Sequence, residues 1–349
     1  MKKKKSLILC CFKKKTYLCG NELNCCRTMA TSVAELIQKS EKTAFSFEVL
    51  PPLRGKTIDS VFRTIDILMP FRPLFVEVTT HRSDYVYRDK GDGTYERVEQ
   101  RLRPGTVAIA SAIKQRYHVP VVPHIICSGY SRQDTENELI DYSFLDIKDL
   151  LVLRGDKAKQ DARFVPKTGG LSHATELIEQ VEQFNKGLLE YGDRHEFCVN
   201  RPFTYGVAAY PEKHEEAMNL QQDIERLKEK QDLGAGYAVT QMFFDTDAYL
   251  RFVDKCRASG ITMPIVPGLK PLGTLNHCTM LPRVFHVDFP VELAEKLSGL
   301  KTDDDVKKVG VEWCIAQCER LRKEGAPCIH FYTMNAAGSI EQIAKEVWK

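Results

Sequence analysis

The stretch "AFSFEVLPP" at residues 44–52 is predicted to form a β-strand that carries a carboxylate at its C-terminal end. Alternation along a strand places Ser46 and Glu48 on one face and the two phenylalanines on the other. Pro51 and Pro52 cannot continue a central ladder, so the strand is expected to end just before them. Glu48 is therefore placed at a strand end, beside small residues that leave room around its side chain.

Short apolar runs alternate with amphipathic helical stretches along the rest of the chain. Strands are predicted at 44–49, 74–79, 120–126, 149–153, 205–210, 238–244, 263–268 and 327–332. Helices are predicted near 57–69, 105–117, 131–146, 172–188, 212–232, 245–258, 303–324 and 338–348. Eight strands that alternate with helices over about 310 residues predict an α/β protein with a single (β/α)8 TIM barrel at residues 30–349.

A doubly wound open sheet is the competing architecture. That fold would bind a dinucleotide through a glycine-rich turn after its first strand, and the stretch "EVLPPLRGK" that follows the first strand here contains no such turn. Residues 80–104 form a polar insertion after the second strand, and we expect this insertion to be poorly ordered.

The first 28 residues differ in composition from the rest of the chain. Their seven Lys, one Arg and one Glu give +7, whereas the remaining 42 basic and 46 acidic residues give −4. They also hold five of the 12 cysteines, namely Cys10, Cys11, Cys19, Cys25 and Cys26. Residues 1–29 are therefore predicted to be a disordered leader or a mis-assigned start, with Met29 as the working start. A zinc site in this stretch is the alternative, although the cysteine spacing fits no common ligand pattern.

Composition also argues against several classes of protein. The mildly acidic body gives no case for nucleic-acid binding, and no apolar run approaches the roughly 18 residues of a membrane span. Metal-ligating residue types do not cluster at the usual spacing, so we expect no metal site. The other seven cysteines stand singly in strand-like or helical segments, as reduced thiols of a cytoplasmic protein do.

Polar residues occupy the predicted C-terminal end of each strand, while the strand middles are apolar. In a barrel these ends and the loops after them form the active site. The residues concerned are Glu48, Thr79, Thr80, His81, His124, Arg154, Gly155, Asp156, Tyr210, His214, Gln241, Lys270 and Tyr332. This pattern predicts a functional site at that end of the barrel.

Several of these residues also have a purely structural explanation. Asp156 in "LLVLRGD" either caps a turn or places a charge beside a ring system, and Gly155 permits close backbone approach to a ligand. His124 is either a satisfied core residue or a site residue. Gln241 is expected in a buried strand with Val239 and Phe243, where a ligand edge or a core network would satisfy its amide.

A helix is predicted to begin near Glu212, and Asp223, Arg226 and Lys230 recur on it at helical spacing. This shared face could hold an adenosine diphosphate moiety with Lys230 on a phosphate. The alternative is an exposed helix that is stabilised by pairs of opposite charges.

Taken together, the chain resembles the methylenetetrahydrofolate reductases, the flavin-dependent enzymes of one-carbon metabolism. The resemblance covers residues 40–349 and rests on "FSFEVLPP", "VTT", "PHIIC", "LRGD", "AAYPEKHEEA", "TQMFFD", "IVPGLKP" and "HFYTMN" in this order. It implies a (β/α)8 barrel of the short bacterial form, with FAD at the C-terminal ends of the strands.

The resemblance also implies roles for single residues. Glu48 would be the general acid that protonates a folate nitrogen, so that the five-membered ring opens to an iminium ion. Asp156 would lie by the flavin and stabilise that cation, while Gln241 and Tyr332 would contact the substrate. The implied FAD contacts are Thr79, His124, Arg154, Gly155, Asp156, Tyr210, His214, Asp223 and Lys230.

The implied reaction is a ping-pong hydride transfer from NADH or NADPH through FAD to methylenetetrahydrofolate, which becomes methyltetrahydrofolate. Homo-oligomerisation stays open. Two departures from the family pattern affect ligand contacts: "VTTHR" stands where many relatives read "VTYGA", and Ala336 stands where many have Arg. The alternatives are another FAD-binding TIM barrel, such as a proline dehydrogenase relative, or a flavin- or folate-binding barrel without turnover.

Overall fold

The computed structural model describes residues 31–196, 201–334 and 337–348. The strands are β1 (Ala44–Val49), β2 (Val76–Val78), β3 (Asp84–Asp89), β4 (Tyr95–Gln100), β5 (Val121–Ile126), β6 (Asp149–Leu153), β7 (Thr204–Ala209), β8 (Tyr237–Thr240), β9 (Ile265–Val266), β10 (Gly268–Leu269) and β11 (Cys328–Tyr332). The helices are α1 (Val33–Lys39), α2 (Asp59–Leu68), α3 (Thr106–Tyr117), α4 (Arg132–Phe144), α5 (Ala174–Asn185), α6 (Leu220–Asp232), α7 (Thr246–Ala258), α8 (His277–Phe285), α9 (Val291–Leu297), α10 (Asp303–Lys323) and α11 (Ala337–Val347). The proposed leader at 1–29, with its cysteines, and Ala336 lie outside the described residues.

Nine parallel strands form the barrel sheet, in the order β10-β11-β1-β2-β5-β6-β7-β8-β9. Only Pro267 separates β9 from β10, and β9 pairs with β8 while β10 pairs with β11. The strand predicted at 263–268 is thus interrupted, because a proline has no N–H to donate to a ladder. Its two halves stand at the two ends of the strand order, so the sheet returns on itself and the predicted (β/α)8 barrel is confirmed.

Helix α1 packs at the N-terminal end of the barrel. The Val33 N–H donates to Asp149 Oδ1 at 2.8 Å, at the first residue of β6. Val33 and Ile37 join the apolar cluster that includes Val122 and Val239 from the strands. The apolar filling therefore continues to this end of the barrel, and the polar strand-end residues lie at the other.

The polar insertion at 80–104 is not poorly ordered, so that prediction was wrong. Strands β3 and β4 form an antiparallel hairpin whose register runs from Asp84–Gln100 to Asp89–Tyr95. The Arg97 guanidinium lies 4.3 Å from the centre of the Tyr85 ring, and cross-strand contacts of this kind stabilise a ladder. The prediction missed these two strands because their residues are mostly polar.

Other differences from the prediction concern element boundaries. Helix α6 begins at Leu220 rather than near Glu212, because Asn219 Oδ1 accepts the Gln222 N–H at 2.9 Å and caps the helix there. Strand β8 ends at Thr240, which places Gln241 in the following loop. The short helices α1, α8 and α9 were not predicted. No helix in the described ranges is long and apolar enough to cross a bilayer.

A test of the barrel packing is available at Gly206 in β7, which pairs with Tyr237 in β8. A Cβ at Gly206 would collide with the Tyr237 ring, which is only 1% exposed. We expect Gly206→Ala to lower the free energy of unfolding by about 1–3 kcal/mol, since an overpacked interior forces neighbours to move. Urea unfolding followed by circular dichroism measures this change.

The matched control is Gly338→Ala in α11, where no atom lies within 4 Å of the added Cβ. Alanine has the higher helix propensity, so this variant should be unchanged or more stable by up to about 1 kcal/mol. Equal stability of the two variants would contradict the packing described for Gly206.

Candidate active site

Three acidic and aromatic side chains meet where β11, β1 and β2 run side by side. Glu48 in β1 stands in register with Glu77 in β2 and with Tyr332 in β11. Ligand atoms of Glu48, Glu77 and His330 lie within 4.8 Å of one another. Strand register therefore brings two carboxyl groups and an imidazole together at the barrel's C-terminal end.

Glu77 is held between two histidines. Its Oε2 atom lies 3.1 Å from His124 Nε2 and 3.4 Å from His330 Nε2. His330 Nδ1 in turn lies 3.0 Å from the Ser46 hydroxyl. Glu77 is 1% exposed, and Ser46 and His330 are fully buried. The carboxyl group of Glu77 is consequently fixed in position and shielded from water.

The buried groups differ in charge state. Burial is the main cause that raises the pKa of Glu48 to about 7; the charge of Glu77 adds to this rise, while His124 and Lys270 oppose it. Burial would also raise the pKa of Glu77, but His330 and the hydrogen bond with His124 outweigh it and keep that pKa below its usual value. Glu48 thus holds a proton near neutral pH beside an ionised Glu77.

This arrangement suits proton donation. A carboxylic acid with a pKa near the working pH is the type of group that serves as a general acid. Glu48, Glu77 and His330 are also close enough to ligate a metal ion, but the Lys270 ammonium stands beside Glu48 and His124 already binds Glu77. The contacts are those of a charge-balanced hydrogen-bonded cluster, and the absence of a metal site stays a prediction.

A second group of predicted site residues follows β6 and β7. The His214 N–H donates to Asp223 Oδ2 at 2.5 Å, and the Tyr210 and His214 rings meet edge to face at 4.8 Å. Arg154 pairs with Glu216. The structure thus brings the loop before α6 and the start of α6 against the ends of β6 and β7, and the role of these residues in FAD binding stays a prediction.

Two residues of this second group bear on cofactor binding. The Lys230 amine donates to the Ala208 carbonyl at 3.3 Å, and burial lowers its pKa to about 8. Gly155 has a φ of 79°, and a Cβ there would lie 3.0 Å from the Cβ of Ser128. A cation near Arg154, together with a turn at Gly155 whose positive φ favours glycine, fits an anionic cofactor such as FAD.

Asp156 is exposed just after this turn. Burial raises the pKa of Tyr210 to about 12, and the nearby Asp156 carboxylate contributes to the rise. Asp156 is therefore a solvent-facing charge close to a buried tyrosine, and it stands at the open end of the barrel.

The remaining predicted site residues line the ends of β2, β8 and β11. Gln241 Oε1 accepts the Met242 N–H at 2.9 Å, and its side-chain NH₂ donates to nothing in the described part of the chain. Thr79 contacts His81 Nε2 at 3.2 Å. The Tyr332 hydroxyl donates to the Thr240 carbonyl at 2.5 Å. The prediction that Gln241 lies within a buried strand is wrong. The Met242 N–H donates to the Gln241 side chain instead of to a neighbouring strand, so the strand has already ended.

No role was predicted for Glu77 or His330 from the sequence. The signal was present in strand alternation, since Glu77 precedes Thr79 by two residues and His330 precedes Tyr332 by two. These residues come together because β2 pairs with β5 and β1 pairs with β11. Such pairings depend on the strand order, which the alternation pattern does not give.

The fold and the site define a (β/α)8 barrel with an acidic cluster and a group of cationic side chains at the C-terminal ends of its strands. The family model "Methylenetetrahydrofolate reductase" matches residues 33–347. A 5,10-methylenetetrahydrofolate reductase of Pectobacterium carotovorum is 32% identical over 295 residues, which cover 84% of this chain and 86% of the relative. The chain belongs to the methylenetetrahydrofolate reductase family.

Further comparisons agree with the fold. A probable NADPH-type methylenetetrahydrofolate reductase of Caenorhabditis elegans is 32% identical over 310 residues, 87% of this chain. The chain spans only 42% to 47% of the length of the nematode, fission yeast and plant relatives. A solved Clostridium thermocellum protein, described as binding two copies of 5-methyl-5,6,7,8-tetrahydrofolic acid, aligns with a TM-score of 0.53 at 11% identity. That alignment covers 90% of this chain and 99% of that one.

The charge state of Glu48 can be tested directly. We expect its carboxyl to titrate near pH 7, because burial and the Glu77 carboxylate both disfavour its ionised form. Carbon-13 NMR of protein labelled at the glutamate carboxyl carbons measures the titration, and Glu48→Gln identifies the signal by its loss. A Glu48 signal that titrates near pH 4.5, the value of an unburied glutamate, would contradict this assignment.

Proposed function

We propose that this protein reduces methylenetetrahydrofolate to methyltetrahydrofolate with NADH or NADPH, in cytoplasmic one-carbon metabolism that leads to methionine. The observation that carries the proposal is the Glu48 carboxyl, in register with Glu77 at the strand ends of a barrel that belongs to this family. FAD, when bound, would supply the hydride carrier that lets the two substrates react in turn.

The residues that would hold FAD are those of the second group. Lys230 and Arg154 would meet the phosphates, since Arg154 follows β6, Lys230 lies on α6, and the two cations are near enough for their charges to interact. Gly155 would allow the isoalloxazine ring close to the backbone. Asp223 holds the 214 loop through the His214 N–H, and Thr79, His124 and Tyr210 would complete the contacts.

Glu48 would act on the folate. A protonated carboxyl within reach of the folate nitrogen donates its proton as the carbon–nitrogen bond breaks, and the five-membered ring opens to the N5 iminium ion. The exposed carboxylate of Asp156 would stabilise that positive charge. The side-chain NH₂ of Gln241 is a donor for a pterin acceptor, and Tyr332 stands in register with Glu48 to border the ring.

The cofactor assignment predicts that Lys230→Met weakens FAD binding about ten- to hundredfold, since the variant loses a charge-assisted contact to a phosphate. Fluorescence titration of apoprotein with FAD measures the affinity. Lys228→Met on the same helix is the control, because Lys228 pairs with Asp232 at the surface. Equal affinities of the Lys230→Met variant and the wild type would remove Lys230 from the proposed phosphate site.

The acid assignment predicts that Glu48→Gln leaves flavin bleaching by NADH or NADPH within a few-fold of wild type. That half-reaction transfers a hydride and requires no proton from Glu48. Recolouring by methylenetetrahydrofolate should slow by about 10²- to 10⁴-fold, the usual contribution of a general acid. In wild type the recolouring rate should also fall as the pH rises through about 7, because Glu48 then loses its proton.

Stopped-flow absorbance resolves the two half-reactions. Fast recolouring in Glu48→Gln would show that Glu48 is a structural carboxyl. A flavin that is recoloured by another substrate class and not by the folate would favour a different FAD-binding barrel. Failure of both half-reactions would mean that the substitution damages the flavin site, and the acid assignment would then lose its support.

A further inference from the structure

We propose that Glu77 and Lys270 are positioning residues that hold the Glu48 carboxyl between two opposite charges, one keeping the proton on Glu48 and the other promoting its release. This inference rests on the proposed role of Glu48 as the acid. Glu77 and Lys270 come from different strands and approach Glu48 from different neighbours in the sheet.

Glu77 is fixed as the negative neighbour. It stands in register with Glu48 on the adjacent strand, and ligand atoms of the two side chains lie within 4.8 Å. His124 Nε2 binds Glu77 Oε2 at 3.1 Å, while Glu77 Oε1 has no hydrogen-bond partner among the described residues. Glu77 is thus a buried carboxylate with one unpaired oxygen, and its negative charge lies next to the Glu48 carboxyl on the neighbouring strand.

Hydrogen bonds hold the imidazole of His330, the other neighbour of Glu77, in place. The Cys328 thiol donates to Ser46 Oγ at 3.3 Å, and the Ser46 hydroxyl shares a hydrogen bond with His330 Nδ1 at 3.0 Å. His330 Nε2 lies 3.4 Å from Glu77 Oε2 and makes no hydrogen bond within the described residues. Burial lowers the pKa of His330 and the Glu77 carboxylate opposes that change, so the two buried groups influence each other's proton affinity.

Lys270 is the positive neighbour. It directly follows β10, and the residue is 6% exposed. Burial lowers the pKa of Lys270 to about 8, and Glu48 opposes that change. The Lys270 ammonium and the Glu48 carboxylate therefore stabilise each other, so Lys270 favours the ionised form of Glu48.

The groups that face Glu48 are few. They are Glu77 from β2, His124 from β5, Lys270 after β10, and His330 and Tyr332 from β11. The charge of Glu77 raises the proton affinity of Glu48, whereas His124 and Lys270 lower it, Lys270 from the opposite side of β11. These charges adjust a proton affinity that burial has already raised, and the result is an acid with a pKa of about 7, which can both hold and give up a proton.

The test uses two substitutions that should act in opposite directions. Glu77→Gln keeps the size and the His124 contact but removes the negative charge, so the pKa of Glu48 should fall by about one to two pH units. Lys270→Met removes the positive charge at similar length, so the pKa of Glu48 should rise by about one pH unit. Carbon-13 NMR of the Glu48 carboxyl in the purified full chain measures both changes.

Glu138→Gln is the matched control. Glu138 lies on α4, outside the barrel, and burial raises its pKa to about 7 as well. Its substitution should leave the Glu48 titration unchanged. Shifts of the same sign in Glu77→Gln and Lys270→Met, or no shift in either, would overturn the inference. If Glu77→Gln does not fold, the absence of a rise in Lys270→Met overturns it alone.

The same variants separate this inference from the proposed function. If Glu48 is the acid, the pH at which folate-driven recolouring declines should move down in Glu77→Gln and up in Lys270→Met. Opposite NMR shifts with an unmoved recolouring profile would support the charge balance and refute the acid role. An NMR titration that does not move would refute the charge balance whatever the kinetics show.

Discussion

Two carboxyl groups share the buried end of this barrel, and low-dielectric surroundings make it costly to ionise both. Glu77 has two histidines beside its carboxylate, one of them a hydrogen-bond partner, whereas Glu48 has the charges of His124 and Lys270 nearby and these do not offset its burial. The proton therefore belongs on Glu48. The chemistry that this site supports follows from this unequal division of partners between two neighbouring strands.

Strand order and register give the two carboxyl groups these different partners. Parallel pairing of β11, β1 and β2 sets Tyr332, Glu48 and Glu77 at one level, and β5 brings His124 against Glu77. Closure through the interrupted strand at Pro267 places Lys270 on the far side of β11. Each partner comes from a different strand, so no local segment could form the cluster alone.

The proposed FAD site has a different origin. Its residues come from the turn after β6, from the loop between β7 and α6, and from α6 itself. The Arg154–Glu216 pair joins the turn to the loop, and the contact of Asp223 with the His214 N–H joins the loop to α6. Lys230 extends from α6 toward the end of β7. The resemblance to the family proposed these residues as a set, whereas the cluster around Glu77 was not foreseen.

The sequence by itself determined the barrel, because hydrophobic periodicity and chain length specify eight strand positions, and it determined which polar residues stand at the strand ends. It also predicted Glu48 as a carboxyl in apolar surroundings. Tertiary structure alone decided the partners of Glu77, the position of His330 beside it, the break at Pro267, and the position of Gln241 outside β8. These features depend on which strands are neighbours and on the register between them. Distances between segments that are remote in the sequence set the pKa values of the buried groups, and a sequence pattern does not contain those distances.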